Sequence, residues 1–466
     1  MEDSQKKMEK IVSLCKRRGF VFQGSEIYGG LAGIWDFGPL GVALNNNIKR
    51  EWWKMFVDGR EDMYGLDASI LMNSKVWEAS GHTGAGFADW MVGCKKCGSQ
   101  FRLDHLSNIT NIEMGRDSTG KQNIITMSVN KASCPKCGST SFSDEISPKL
   151  FNLMFETGVG AQGNVKSYLR PETAQGIFVN FKNVVDSMSP KIPFGIGQIG
   201  KAFRNEIAPR DFLFRVREFE QMEIEYFIKE EDWERLFEIW REDIWKWFDH
   251  LGLSRNNIRE LEVEQNDLAH YSKRTIDFEY NYPEKGFSEL AGFAYRTDHD
   301  LKSHMEASGV SLEYIEPDGS RFTPHVLEPS FGLGRTITAV LSEAYREDEM
   351  NGEIRTYLRL PKHLSPYRVS VSPLLKNKPE LVEKAREVFM MLKKECGNVA
   401  WDDNGNIGKR YRRQDEIGTP SCIVIDFETL GQEKPELKDT VTVRDRDTGE
   451  QIRVAISELA GYLNAL

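Results

Sequence analysis

The 466-residue sequence has no run of about 18 apolar residues, so a membrane-spanning helix is not expected. Its opening, Met1-Glu2-Asp3-Ser4-Gln5-Lys6-Lys7, lacks the apolar core of a secretory signal, and a soluble, cytoplasmic protein is expected. Positive charge is in deficit: 61 Lys and Arg against 71 Asp and Glu leave a formal net charge of -10. That excludes a surface coated in phosphate contacts, and any RNA surface must be a local patch. Cysteine is sparse. Of the seven thiols, four fall in two C-x-x-C pairs, which suits a metal site in a reducing compartment better than a disulfide framework. No Gly-Lys-Ser/Thr follows the glycine-rich run Gly24 to Gly41, so it is not a phosphate loop. What is present suffices for a large core, since 40% of residues are hydrophobic and the length allows two or three domains.

The chain is organised around Phe203-Arg204-Asn205-Glu206, a short loop, and the run from Phe214 to Phe227. Side chains alternate across a strand with period two, so Arg204 and Glu206 share a face, as do Phe219, Gln221 and Glu223. Met222, Ile224 and Tyr226 make the opposite face apolar. A charged hairpin is ordinarily a half-buried surface element. Here the residue order suits a nucleoside triphosphate: arginine forks neutralise phosphate oxygens, an acid accepts from an exocyclic amine, and a ring stacks on the base. The run Phe203 to Phe227 resembles the second signature motif of the class II aminoacyl-tRNA synthetases. It is closer to the dimeric glycyl-tRNA synthetases than to their class relatives, and the resemblance extends over nearly the whole chain.

This resemblance implies an α+β protein. Residues 1–360 would form a class II catalytic domain, an antiparallel sheet flanked by helices, with an inserted zinc-ribbon-like segment at about 84–147 and a helical segment at about 231–273. Residues 361–466 would form a C-terminal α/β anticodon-binding domain. ATP contacts are implied for Arg204, Asn205, Glu206, Phe214, Arg215, Val216, Arg217, Glu218, Phe219, Glu289, Leu290, Gly332, Leu333, Gly334 and Arg335. Arg204 would hold the α-phosphate, Arg217 and Arg335 the outer phosphates, Phe219 the adenine ring and Glu206 its amino group. Arg204, Glu206 and Arg335 are the expected catalytic set. Glycine contacts are implied for Arg102, Glu172, Phe219, Glu220, Gln221, Met222, Glu223, Arg296, Glu328, Pro329, Ser330, Phe331 and Gly332, with Glu172 directed at the amino group and Arg296 at the carboxylate.

The other stretches carry readings of their own. Met8, Ile11, Val12 and Cys15 have helical spacing. Six glycines between Gly24 and Gly41 suggest a tightly wrapped segment. After Pro39 the spacing of Leu44, Ile48, Trp52 and Phe56 is helical. It fits an ordinary core helix as well as the first signature motif it resembles, through which the class forms its homodimer. Cys94-Lys95-Lys96-Cys97-Gly98 and Cys134-Pro135-Lys136-Cys137-Gly138 are two knuckles able to close a tetrahedral structural zinc shell, with strands expected at Arg102 to Ile112 and Asn123 to Val129. His82 and His105 are alternative ligands that four cysteines make unnecessary. Cys15, Cys396 and Cys422 read as small buried hydrophobes. Arg170-Pro171-Glu172-Thr173 reads as a turn opening a helix. Trp233, Phe237, Trp240, Ile244, Trp247 or Phe248, and Leu251 form an aromatic helix face that belongs to a core, followed by a charged tether from Glu260 to Lys273.

Glu289 is the acid implied for ATP-bound Mg²⁺, because hard cations among phosphates take carboxylate oxygens. The preceding Lys285-Gly286-Phe287-Ser288 departs from the Phe-Gly-Trp usual in the family. In Glu328-Pro329-Ser330-Phe331-Gly332-Leu333-Gly334-Arg335 the glycines allow close approach to a ligand, and Arg335 enters a helix where it can meet the γ-phosphate. Beyond Pro361 and Pro366, β and α elements alternate. Lys409, Arg410, Arg412 and Arg413 form the densest cation cluster, in a loop suited to tRNA(Gly) phosphates.

The implied activity is attachment of glycine to tRNA(Gly) through a glycyl-adenylate. Glu172, Glu223, Glu328 and Ser330 would bind the ammonium and fill the space a methyl group needs, since an apolar pocket discriminates a methyl by only about 1–3 kcal/mol. The alternatives are a synthetase-like RNA-binding protein without catalysis, a zinc-ribbon nucleic-acid binder, and a class II enzyme for alanine, serine or proline. A non-catalytic relative would lack Arg204, Glu206 or Arg335, and all three are present.

Overall fold

The apolar face formed by Met222, Ile224 and Tyr226 is buried against the main core. The computed structural model describes residues 2–84, 87–102, 110–116, 122–128, 133–134, 136–140, 149–207, 209, 211–269, 271–350, 352–432 and 434–465. Seven strands form the central sheet: β1 (Met63–Gly65), β2 (Phe194–Phe203), β3 (Glu218–Ile228), β4 (Ile258–Glu262), β5 (Arg274–Tyr282), β6 (Gly286–Thr297) and β7 (His325–Gly332). Their order is β4-β5-β6-β7-β3-β2-β1, antiparallel except for β1 beside β2.

Helices cover one face of this sheet. They include α1 (Glu2–Arg18), α2 (Pro39–Trp53), α3 (Trp233–His250) and, beyond the later α4 (His299–Ser308), α5 (Leu333–Ala344). Pro39 at the first helical position of α2 supplies a preset φ where no N–H is needed. Leu44, Ile48 and Trp52 of α2, Phe237, Trp240 and Trp247 of α3, and Ile337 and Leu341 of α5 are buried together with Met222 and Ile224. Phe56 stacks on Trp240 at 6.0 Å, and deleting such a ring costs about 3–5 kcal/mol. The aromatic stripe of α3 is therefore core. Among the described residues no helix is long and apolar enough to cross a membrane.

Two backbone irregularities shape the other face. Glu279 pairs with Glu289 and Phe278 with Ala291, which leaves Leu290 as an extra residue in β6. Seven positions separate Glu289 from Arg296, and strict alternation would point them to opposite faces. The bulge restores a common face and sends both Leu290 and Ala291 into the core. The second irregularity is Gly33, at φ 71°, where an added Cβ would lie 2.3 Å from Pro209. Its glycine-rich segment wraps tightly against the loop between β2 and β3, as the composition suggests.

A second core belongs to the C-terminal sheet of β8 (Val369–Pro373), β9 (Val399–Trp401), β10 (Ser421–Ile425), β11 (Thr440–Asp445) and β12 (Gln451–Ala455), in the order β9-β8-β10-β11-β12. Helices α6 (Pro379–Cys396), α7 (Ile407–Glu416) and α8 (Leu459–Ala465) complete it. The hairpin Tyr345–Met350 and Glu353–Leu358 joins α5 to this unit, with buried Arg355 donating to Asp348, Asp415 and the Arg446 carbonyl.

Three expectations change. The tether begins as edge strand β4, because Ile258 and its neighbours pair with β5. The cation cluster lies on α7 rather than in a loop, with Asn406 capping the helix through the Lys409 N–H. The strands near the knuckles are Gln100–Arg102, Thr110–Arg116 and Gln122–Ser128, while His105 lies outside the described residues. Cys15 and Cys422 are buried, whereas Cys396 is only half-buried.

Candidate active site

Register builds a polar chamber on the face opposite the core. Glu223 of β3 stands across from Ser330 of β7, which stands across from Gly292 of β6. Ser330 Oγ donates to Glu223 Oε1 at 2.7 Å, and Thr173 Oγ1 donates to the other oxygen. Arg296 donates through Nε and Nη2 to Asp300, both at 2.8 Å, and through Nη1 to Glu328 Oε1 at 2.7 Å. Tyr271 lies under its guanidinium at 3.8 Å. The side chain of Arg296 is 3% exposed, and all three of its nitrogens are engaged. These bonds use three of its five N–H groups, leaving one on each of Nη1 and Nη2, and the bond to Glu328 also holds that carboxylate in place.

Glu172 closes another side. Its carboxylate meets His82 Nε2 at 3.1 Å and accepts from Gln175 Nε2 at 3.1 Å. Against the cost of burial, His82, Arg296 and Arg204 hold it well below the usual carboxylate range. The turn before it is fixed by buried Arg170, which donates to the Lys201 and Ala68 carbonyls, each at 2.6 Å. Glu328 behaves in the opposite way: burial and the charges of Glu223 and Glu172 push it up to about 8 despite Arg296.

The nucleotide residues lie beside this chamber. Arg204 donates through Nε to the Pro171 carbonyl, and its guanidinium lies 5.6 Å from the ring of Phe87 and 5.5 Å from that of Phe219. Its bond to Pro171 sets it beside Glu172, at the edge of the chamber. Arg335 Nη1 lies 2.9 Å from Glu289 Oε2, and Phe214 packs under Arg335 at 4.5 Å. Gly334 is required because a Cβ there would meet the Leu213 carbonyl at 2.7 Å. Arg217 donates to the Glu206 and Ala32 carbonyls, and Arg215 Nε is 3.7 Å from Glu206 Oε2. The Asn205 N–H is held by the Leu153 carbonyl.

Several expected contacts are not brought to the chamber. Met222, Leu290, Phe331 and Leu333 point into the core. Glu218 and Glu220 project from the other face of β3, where they pair with Lys201 and with Lys49. Val216 and Pro329 are buried, and Gly332 caps α5. The side chain of Arg102 lies outside the described residues. On α7, Arg410 is buried and donates to the carbonyls of Pro373, Asp403 and Gly405, so it is a structural strut. Arg412 and Arg413 are drawn to Glu353 and Asp402, which leaves Lys409 as the exposed cation of the set.

The cysteine knuckles meet. Cys94 Sγ is 3.7 Å from Cys137 Sγ, and Cys97 Sγ is 3.7 Å from Cys134 Sγ. Thiolates bonded at about 2.3 Å to one tetrahedral ion stand about 3.8 Å apart, so the four sulfurs fit zinc.

A model of the tRNA synthetase class II core domain (G, H, P, S and T) matches residues 157–344, which include β2, β3, β5, β6 and β7. A model of the anticodon binding domain matches residues 368–466. The chain is 49% identical to the glycine–tRNA ligase of Caldanaerobacter subterraneus subsp. tengcongensis over 464 residues, 98% of this chain and 97% of that relative. The glycine–tRNA ligase of Clostridium tetani is 48% identical over 99% of this chain and 98% of its own length, and that of Bacillus cereus is 49% identical over 98% of each. The chain belongs to the glycine–tRNA ligase family.

Within this family member, four site residues escaped the sequence reading. His82 sits beside Glu172 rather than at the thiols. Asp300 clamps Arg296 from the first turn of α4, across the turn that ends β6. Asp277 shares the corner of Glu289, and burial together with the charges of Glu289 and Glu279 pushes it up to about 6. Glu225 continues the alternation of Gln221 and Glu223 along β3 and is fully buried.

Proposed function

We propose that the chain joins glycine to tRNA(Gly) at the expense of ATP. A glycine carboxylate oxygen attacks the α-phosphorus in line, the bond to the bridging oxygen breaks, and pyrophosphate leaves with the electron pair. A ribose hydroxyl at the tRNA 3′ end then attacks the glycyl carbonyl carbon. The bond to the AMP phosphate oxygen breaks, and AMP and the hydroxyl proton depart. Such transfers depend on positioning and charge neutralisation, which suits a site rich in arginines with no evident nucleophile.

The observation that carries this reading is the place of Arg204, whose Nε donates to the Pro171 carbonyl next to Glu172 while its guanidinium lies 5.5 Å from the Phe219 ring. It would hold the α-phosphate where the amino acid and nucleotide meet, with Phe219 against adenine, Glu206 at its amine, and Arg217 and Arg335 on the outer phosphates. Glu172, Glu223, Glu328 and Ser330 would surround the ammonium and occupy the room of a methyl. Glu289, beside Arg335, would hold a magnesium ion, which when bound would neutralise the leaving pyrophosphate. The four cysteines would hold structural zinc.

The same reading takes residues 1–360 as catalytic, with the insertion at 84–147, and residues 361–466 as the tRNA-reading unit. It includes a cytoplasmic homodimer, for which exposed Ile27, Tyr28, Leu31 and Val42, before and on α2, offer apolar surface. The test is charging of tRNA(Gly) with labelled glycine. Acid-precipitable glycine that depends on ATP and tRNA is expected, and its absence would overturn the proposal.

A further inference from the structure

The mechanism leaves Glu225 without a task. It follows Glu223 by two positions on β3 and so faces the same way. Its side chain is 0% exposed, and among the described residues neither carboxyl oxygen has a hydrogen-bond partner. Every other chamber carboxylate described above is held by a donor: Glu172 by Gln175, Glu223 by Ser330, Glu328 and Asp300 by Arg296.

The charged groups facing Glu225 are mostly acids. They are Glu223 on its own strand, Glu328 on β7, and Asp300 on α4, with Arg296 on β6 as the cation. Glu328 lies on β7 between the partners of the pairs Glu223↔Ser330 and Tyr226↔Leu327, a level that sets it across from Glu225. An ionised carboxylate with no donor, in a dry place beside other carboxylates, takes up a proton instead. Burial and the charge of Glu328 both push Glu225 well above the ordinary range, and Arg296 only partly offsets them.

We infer that Glu225 is a positioning residue of the amino-acid chamber, an uncharged carboxylic acid behind Glu328 that sets where Glu328 and Glu223 present their charge to the substrate ammonium. A charged group at this place would repel Glu328 and loosen its grip on Arg296. A smaller group would leave Glu328 without support. This rests on the chamber being the glycine site.

Two variants and one spectrum test it. Glu225→Gln keeps shape and neutrality, and KM for glycine is expected to stay within about threefold in pyrophosphate exchange. Glu225→Ala is expected to raise KM for glycine about tenfold or more, with KM for ATP nearly unchanged, which general loss of structure would not do. The infrared spectrum of the substrate-free wild-type protein at neutral pH is expected to carry a buried protonated-carboxyl band, sensitive to D₂O, that weakens in Glu225→Gln. An unchanged band, a Glu225→Gln variant as impaired as Glu225→Ala, or an equal rise in KM for ATP would each overturn the inference. Should Glu225→Ala fail to fold, the band and Glu225→Gln still decide. The band needs no substrate, so a band that weakens in Glu225→Gln, from wild-type protein that exchanged nothing with glycine, would overturn the reading of the chamber and leave the state of Glu225 established.

Discussion

Arg335 Nη1 lies 2.9 Å from Glu289 Oε2, a salt bridge between the first turn of α5 and the bulged part of β6. The pair joins two segments 46 residues apart at the corner assigned to the outer phosphates. Removing the guanidinium should therefore affect ATP rather than glycine. Arg335→Ala is expected to lower kcat/KM for ATP about 10²–10³-fold, or about 2.7–4 kcal/mol, the usual cost of losing one donor to a developing charge. Pyrophosphate exchange with ATP varied, then glycine varied, checks that KM for glycine is spared.

Glu328 gives the chamber a pH dependence. Burial, aided by Glu223 and Glu172, raises it to about 8 despite Arg296, and an ammonium binds its ionised form. KM for glycine is therefore expected to fall as pH rises from about 6.5 to about 8.5, with a proton released on binding. Stability runs the other way. The folded chain keeps this proton up to about 8, whereas an unfolded glutamate loses it near 4.5. The contribution is full below the unfolded value and is lost as pH rises through the folded one. Glu328→Gln should flatten both profiles, measured as KM and as thermal midpoint.

The thiol cluster predicts one zinc per chain. Cys97→Ser breaks the closed tetrahedral set and is expected to abolish stoichiometric zinc by metal analysis. In the wild-type protein a thiol reagent should find Cys94, Cys97, Cys134 and Cys137 protected until a chelator is added.

On α7, neighbouring cations should respond differently. Lys409→Ala is expected to leave the thermal midpoint unchanged, weaken tRNA(Gly) binding, and reduce the salt slope by about 1. Arg410→Ala strips donors from the carbonyls of Pro373, Asp403 and Gly405, and leaving that of buried Pro373 unpaired costs about 1–3 kcal/mol. Its first effect should be a lower melting temperature, whatever its effect on tRNA.

That last contrast marks what the sequence could reveal. The polar face of β3 was legible because alternation is a local property, and Phe219, Gln221 and Glu223 share a face as read. The core role of the α3 aromatics was legible for the same reason. The Leu290 bulge was not, because it exists only in the pairing of β5 with β6, and so the common face of Glu289 and Arg296 had to come from the structure. The burial of Arg410 depends on the end of β8, and His82 reaches Glu172 from a distant part of the chain, so neither leaves a mark in spacing. Asp300 was hidden for a related reason: the i, i+4 pairing rule belongs to one continuous helix, whereas Arg296 lies at the end of strand β6 and Asp300 in the first turn of α4, after a turn.

The central claim is that Arg204 joins a triphosphate seat to a chamber sized and charged for the smallest amino acid. ATP–pyrophosphate exchange measured with each of the twenty amino acids tests it most directly. Exchange driven by glycine, with alanine and serine near background, is the expected result. Comparable exchange with alanine, serine or proline, or none with glycine, would contradict it.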